Sequence, residues 1–349
     1  MSIESKRFEI FSGTGGVGKT TLATSRAIEL ARNNKKVLLI TIDPAKRLRE
    51  LLGLSLEQSG EVVRVKDPLA EGDDLELDVE LMNPEKTFSR IAKINGCEEI
   101  LNNRILNVLT RPYGGLNEIL AIVELNLQFE TKKYDTIVLD TPPGSHFLDF
   151  LDSIERIKVF FDQSFIEIFQ YLGKKVDTSS LNFGKKILNK FVSTGVKKLL
   201  SYLQKVTGAT FVDEFIDAII AIYKTKSTFI SALDLQETLK NKEFSNWYLV
   251  TSVEQNKLRE ALELKDHAKG LITEDSFIVL NKCIEADLNK WSPEEEKLIK
   301  LKQSLFNRER KLKDNLANKF QKVLEFPEVI SLSPFDHIKG LTLNWKSLS

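Results

Sequence analysis

The sequence predicts an α/β fold: a mostly parallel central sheet flanked by helices, with a helical subdomain inserted into it. Three observations carry this. Residues 13–21 read Gly-Thr-Gly-Gly-Val-Gly-Lys-Thr-Thr, between a short apolar strand pattern at Arg7–Phe11 and an apolar helical face made by Leu22, Ala23, Ala27, Ile28, Leu30 and Ala31. Two more β-branched apolar runs, Lys36–Asp43 and Tyr134–Asp140, each end in aspartate, and carboxyl ends of parallel strands are where α/β sheets bind ligands. From Phe147 to Asn241 the pattern is almost continuously helical, more helix than such a sheet needs between two of its strands.

The loop has the form G-x-x-x-x-G-K-[ST], the phosphate-binding P-loop, which makes the predicted fold a P-loop NTPase. Its glycines Gly13, Gly15, Gly16 and Gly18 let the backbone curl until successive N–H groups face phosphate oxygens, with Thr14, Val17 and Thr21 completing the nucleotide-binding stretch. Lys19 adds positive charge at the β- and γ-phosphates, and the Thr20 hydroxyl is the expected Mg²⁺ ligand. The helix that follows presents its positive end to the same anion. A dehydrogenase is excluded, because Lys-Thr follows the glycines and the dinucleotide pattern is not met.

Composition narrows the class. The 349 residues accommodate one large domain or two ordinary ones, and a hydrophobic fraction of 42% suffices for a sizeable core. Fifty basic residues balance fifty acidic ones, so no global field draws in nucleic acid or acidic lipid. Cys97 and Cys283 lie far apart and outside any CxxC spacing, which argues against a disulfide framework or a sulfur zinc site made by one chain. No apolar run approaches the ~18 residues of a membrane span, and strand one begins too early for a signal peptide. The expectation is a cytoplasmic protein without a transmembrane segment.

Along the chain, Asp43 ends its strand beside the P-loop strand, where it is expected to orient the attacking water or a Mg²⁺-bound water. Pro44 and Ala45 then open a loop that moves with the nucleotide and carries Lys46 and Arg47. Val62–Val65 and Leu75–Leu81 alternate as short strands; Pro84 opens a helical region to about Thr110; Arg111–Gly115 breaks it; Leu116–Glu130 is an apolar helix. Asp140 ends a hydrophobic strand as a Walker B carboxylate does, holding Mg²⁺. The loop after it, Thr141, Pro142, Pro143, Gly144, Ser145 and His146, is poised to sense the γ-phosphate through its backbone. The helical subdomain spans about 84–131 and 153–244, and the sheet core about 1–83, 132–152 and 245–349. Within the subdomain, the apolar stretch Phe160–Leu172 is read either as internal packing or as an exposed groove for a partner helix or membrane-bound client. The core resumes with strands Trp247–Ser252 and Ser276–Asn281 around a helix Glu254–Lys269. Asn281-Lys282 is a candidate adenine reader, a carboxamide offering a donor and an acceptor to a base edge. A charged helix at 293–322 and a last strand at Val329–Ser333 follow.

Taken in order, these motifs resemble the ArsA family, the arsenite-pump and tail-anchored-protein-targeting ATPases of the deviant Walker A class. Residues 13–21 are similar to its P-loop, 43–50 (DPAKRLRE) to its first switch, 115–118 (GLNE) to a short motif ahead of its third strand, and 140–151 (DTPPGSHFLDFL) to its second switch. Glu254, Asn281, Lys282, Pro334 and Phe335 fall where that family contacts the nucleoside. The resemblance implies an ATP-hydrolysing homodimer that uses Mg²⁺ and whose helical subdomain rearranges with nucleotide state. Two departures stand out. That family's P-loop usually carries a second lysine where this chain has Thr14, and the cysteine cluster of arsenite pumps is absent. Lys46 and Arg47 are the candidates to supply the missing charge. The rival expectations are a nucleotide-gated binding protein with negligible turnover and a small-molecule phosphotransferase on the same core.

Overall fold

Eight apolar runs pair side by side in the computed structural model, which describes residues 3–42, 49, 52–55, 57–67, 69, 74–111, 116–144, 204–268, 275–331 and 333–348. The strands are β1 (Phe8–Gly13), β2 (Val37–Thr41), β3 (Val62–Lys66), β4 (Asp74–Leu81), β5 (Thr136–Asp140), β6 (Ser245–Ser252), β7 (Phe277–Cys283) and β8 (Val323–Pro327). They form one sheet in the order β3-β4-β2-β5-β1-β6-β7-β8. Every pairing is parallel except β3 with β4. The central strands β1, β2, β5 and β6 are buried along their whole length, as parallel strands covered by helices on both faces must be.

Contacts divide the chain into two compact units. One comprises Met1–Met82, Leu127–Leu151 and Gln236–Ser349, and the other Asn83–Asn126 and Asp152–Leu235. In the first, α1 (Lys19–Arg32) and a C-terminal helix cover one face of the sheet. A row of rings crosses that face: Phe11 of β1 stacks on Tyr248 of β6 at 4.6 Å, and Tyr248 on Phe277 of β7 at 5.2 Å. Trp345 of the C-terminal helix (Pro334–Leu348) sits edge-on above them, 5.9 Å from Phe11 and 5.4 Å from Tyr248. Such tilted pairs add to the area the rings bury.

The same layer holds a buried ion cluster. Arg26 of α1, fully buried, reaches Glu9 at 3.2 Å and Glu29 at 2.8 Å and lies 5.1 Å from the Trp345 ring. Glu9 also accepts from the Tyr248 hydroxyl at 2.5 Å and the Asn246 amide at 2.9 Å. Burial and the Glu9 carboxylate push the Tyr248 phenol well above its ordinary value, so it stays a donor.

In the second unit, Asn83 caps α2 (Pro84–Ile94), accepting from the Lys86 amide at 3.1 Å, with Pro84 in the first turn. Glu124 of α4 (Asn117–Glu130) is buried and accepts from Thr87 at 2.6 Å and from Arg90. Asn103 caps α3 (Arg104–Leu109) and donates to the Glu214 carbonyl of α5 (Ala209–Lys224) at 2.8 Å. Next come α6 (Lys226–Lys240) and, back in the first unit, α7 (Gln255–His267), α8 (Glu285–Lys290), α9 (Glu296–Ala317) and the C-terminal helix, α10. The apolar stretch Phe160–Leu172 lies outside the described residues.

The helical region expected from Pro84 to about Thr110 is present in three pieces: Gly96 turns left-handed at φ 60, a 3-10 turn follows at Glu98–Asn102, and Asn103 starts a new helix. Two expectations are corrected. The last strand is β8, six residues earlier than Val329–Ser333. Leu324 and Phe326 bury against the sheet while Ile330 is 87% exposed, so the pattern V-L-E-F is the one that fits beside β7. And β2, which leads to Asp43, is not beside β1; β5 lies between them. Consecutive parallel strands are joined by crossovers, and a crossover leaves room for a later strand to enter.

Removing one member of the Arg26 cluster leaves a buried, uncompensated charge. Arg26→Leu should therefore lower stability by about 3–5 kcal/mol in urea unfolding, and the combined replacement Glu9→Gln, Glu29→Gln and Arg26→Met, which leaves no unpaired charge, should recover most of that loss.

Candidate nucleotide site

Backbone geometry at two glycines sets the loop between β1 and α1. A Cβ on Gly13 would stand 2.4 Å from the Val250 carbonyl oxygen of β6, so β1 and β6 approach here as no other residue allows. Gly18 has φ 88, and a Cβ there would stand 2.4 Å from the Asn281 amide nitrogen. Gly18 leads into α1 with no side-chain cap, which leaves first-turn amides of a 14-residue helix to meet an anion.

The loop is held from behind. The Asn281 amide at the end of β7 donates to the Val17 carbonyl at 2.8 Å, and Lys282 Nζ to the Gly16 carbonyl at 3.2 Å. The Gly144 amide, beyond β5, donates to the Gly13 carbonyl at 3.1 Å. Thr141 anchors the same segment, donating through its amide at 3.2 Å and its hydroxyl at 2.8 Å to the Phe11 carbonyl. With these carbonyls engaged, the loop's amides are the groups left for a ligand. Lys282 keeps a left-handed backbone at φ 62, a conformation costly for a residue with a Cβ.

In front of the loop lies a cavity of about 610 Å³ lined by Thr14, Gly15, Gly16, Gly18, Lys19, Thr20, Thr21, Pro143, Lys282, the segment 328–331 and His337. Behind the part of its wall made by Lys19 and Thr20 sits Asp140, 2% exposed. One carboxylate oxygen, Oδ2, accepts from the Thr20 hydroxyl at 2.7 Å and the Thr41 hydroxyl at 3.0 Å. The other, Oδ1, is buried with no hydrogen bond and has Lys19 Nζ 3.5 Å away. Lys19 also donates to the Thr141 carbonyl. Burial raises the Asp140 pKa, and Lys19, Thr20 and Thr41 oppose that rise. A hydroxyl and a carboxylate with an oxygen to spare form the hard-oxygen donor set that suits Mg²⁺.

Among the residues singled out from sequence, the fold brings Thr14, Gly15, Gly16, Gly18, Lys19, Thr20, Thr21, Pro143 and Lys282 to the cavity wall. Gly13, Val17, Asn281, Asp140, Thr141 and Gly144 lie behind it through the contacts above. Pro142 joins Thr141 to Pro143. Glu254, Pro334 and Phe335 do not line the cavity: Glu254 precedes α7, Pro334 begins α10 and Phe335 is 43% exposed. Asp43, Pro44, Ala45, Lys46, Arg47 and His146 lie outside the described residues. Sequence reasoning missed Thr41, whose signal was a polar residue closing a fully apolar strand. It also missed 328–331 and His337, which a misplaced last strand hid. Thr14 is 6% exposed, and its hydroxyl is buried without a hydrogen bond.

Asn281 supports the loop through the same amide that was expected to read adenine. Asn281→Ala should weaken ATP, GTP and pyrophosphate alike, by about 5–100-fold for a lost buried hydrogen bond. Calorimetry with all three ligands checks this, since a base reader would change the ATP-to-GTP ratio and leave pyrophosphate untouched.

Comparison with known proteins gives the site its context. The ATPase GET3 of Kluyveromyces lactis is 27% identical over 234 residues, 63% of this chain and 66% of its own length. A putative arsenical pump-driving ATPase 2 of Aquifex aeolicus is 27% identical over 198 residues, 53% of this chain and 64% of its own. An ATPase ASNA1 homolog of Plasmodium yoelii yoelii is 31% identical over 146 residues, 42% of this chain and 36% of its own. The chain thus spans less than two thirds of the length of each of these relatives. The family model described as anion-transporting ATPase matches residues 6–329, nearly the whole sheet and the helical unit with it, and the chain belongs to that family, ArsA.

Proposed function

We propose that this chain binds Mg-ATP at the 13–21 loop, hydrolyses it to ADP and phosphate, and couples nucleotide state to the binding of a client or partner. The observation that carries the reading is the constellation at the cavity wall: Lys19 and the Thr20 hydroxyl, backed by an Asp140 oxygen without a hydrogen bond, beside a loop whose carbonyls are held away. The relatives named above, all ATPases, agree with it.

In this reading Lys19 leaves the Thr141 carbonyl for the β- and γ-phosphate oxygens, and Thr20 and Asp140 hold the metal. Mg²⁺, when bound, neutralises charge on the β- and γ-phosphates. Asp43 orients a water in line with the γ-phosphorus; its oxygen bonds to phosphorus as the bond to the β-phosphate oxygen breaks, and no covalent enzyme intermediate forms. Thr141, Pro142, Pro143, Gly144 and His146 follow the γ-phosphate, and Pro44 and Ala45 do so from the other switch. Lys282, Glu254, Pro334 and Phe335 belong to the nucleoside side of this proposal, and Asn281 braces the phosphate loop next to them. The sheet core is assigned to about 1–83, 132–152 and 245–349, and the helical subdomain, about 84–131 and 153–244, is where a hydrophobic client or membrane-protein partner binds. The protein works in the cytoplasm as a homodimer. Among the described residues no helix is long and apolar enough to cross a membrane.

Thr14 favours a second reading, a nucleotide-gated binder with slow turnover. Charge supplied across a dimer can be worth 10³–10⁵ in rate, and Thr14 cannot supply it. Lys46 and Arg47 are the proposed substitutes.

Two variants test the main reading together. Lys19→Ala should lose about 2–3 kcal/mol of Mg-ATP affinity by calorimetry, the usual contribution of charge-assisted hydrogen bonds. Asp43→Asn should keep that affinity while steady-state turnover falls about 10²–10⁴-fold. Unchanged affinity in the first or unchanged turnover in the second removes that residue from the mechanism.

The Aquifex relative's name mentions an arsenical pump. Here both thiols are buried and belong to different units. Burial pushes the Cys97 thiol up and the Cys283 thiol up to about 12, which disfavours the thiolates that a soft ion needs. Arsenite and antimonite should leave turnover unchanged, and stimulation lost in Cys97→Ser would contradict this.

A further inference from the structure

A second cavity of about 640 Å³ opens at the opposite edge of the sheet, among the segments that lead into β6, β7 and β8. Lys240 and Lys242 precede β6, Asp275 and Ser276 precede β7, Lys319 to Lys322 precede β8, and Lys265 reaches in from the last turn of α7. The strands are parallel, so their starts gather here while their ends gather at the P-loop. The eight residues of β6 put on the order of 25 Å between the two sites.

The lining carries five lysines against one aspartate. That aspartate, Asp275, pairs with Lys322 at 2.6 Å. Among the described residues no carboxylate stands within ion-pair distance of Lys242, Lys265 or Lys319. Two ammonium groups are held in place by rings: Lys265 Nζ lies 4.1 Å from the centroid of Phe320, and Lys322 Nζ 4.9 Å from that of Phe277. Burial lowers the Lys265 pKa, and the nearby Lys6 is lowered by burial and by the positive charge of Lys322. A fold gains nothing by gathering like charges and partly desolvating them, unless an anion joins them.

Ser276 supplies the second, independent sign. Its side chain is 5% exposed, it lines this cavity, and its hydroxyl has no hydrogen-bond partner. Buried hydroxyls are rarely left unpaired, and this one belongs to a residue in the lining of a lysine-rich cavity.

We infer that this basic cavity is a second anion site, built for a small ligand that carries two or more phosphate groups. Five lysines lining one concave site suit clustered charge, and the volume matches a compact ligand. An extended polyanion such as RNA would call for a basic stripe along the surface, and the chain's fifty acidic residues balance its fifty basic ones.

Pyrophosphate is the probe, titrated calorimetrically into the full chain without Mg²⁺. The parent should show two binding events. Lys19→Ala should weaken the P-loop event alone. Lys265→Gln with Lys319→Gln should weaken the other at least tenfold while the P-loop event persists, and Ser276→Ala should weaken it several-fold. Lys265→Arg, which keeps the charge, should retain it, and melting temperatures confirm that each variant is folded. A parent whose pyrophosphate binding vanishes wholly with Lys19→Ala, or is unaltered by the double lysine replacement, overturns the inference. So does lysine-dependent binding to phosphatidylserine vesicles that pyrophosphate fails to compete, which would make this edge a membrane-facing surface.

Discussion

A single buried carboxylate joins the parts of this site. Asp140 ends β5, and its Oδ2 receives hydroxyls from Thr20 at the start of α1 and from Thr41 at the end of β2. Lys19 stands over its other oxygen. Desolvating a carboxylate is costly, and three neighbours offset that cost by converging on it. β5 is the strand that separates β2 from β1, so the residue able to bridge both segments must come from β5. Any change in how Lys19 or Thr20 is used is felt at once by this carboxylate and by the ends of both strands.

The loop itself is kept in shape from the other side of β1. β6 presses against Gly13, and the end of β7 sends Asn281 and Lys282 beneath and beside the turn. Lys282 adopts a left-handed backbone to do so. That strain at the site is offset by the aromatic layer of Phe11, Tyr248, Phe277 and Trp345, which packs β1, β6 and β7 against α10. Strain of this kind persists where surrounding packing over-determines it.

The two cavities follow from the same architecture. A parallel sheet collects strand ends at one edge and strand starts at the other. In this chain the first edge holds two lysines, one of them beside a buried acid, and the second holds five lysines beside a buried hydroxyl. The long charged helix α9 leads through Lys319 into the second edge, so part of the charged run read from sequence at 293–322 lines a cavity.

Much of this was legible in the sequence. The 13–21 loop, the strands that end at Thr41 and Asp140, and the two strands after residue 245 are local patterns, and glycine spacing and apolar runs express backbone requirements that need no partner. The α/β class and the family followed from them. Other features had to wait for the tertiary structure. Strand order is set by crossovers, so that β5 lies between β2 and β1 was invisible from adjacency in the chain. The last strand was chosen by its neighbour, because Val323–Pro327 and Val329–Ser333 are similar alone and differ in what β7 leaves to bury. That the Asn281 amide meets the Val17 carbonyl, 264 residues away in the chain, could not be read from the Asn-Lys pair. Residues far apart in sequence, Thr20, Thr41 and Asp140 at one edge and Lys265, Ser276 and Lys319 at the other, become a site only when the sheet brings them together, and no local periodicity encodes a contact across a hundred residues.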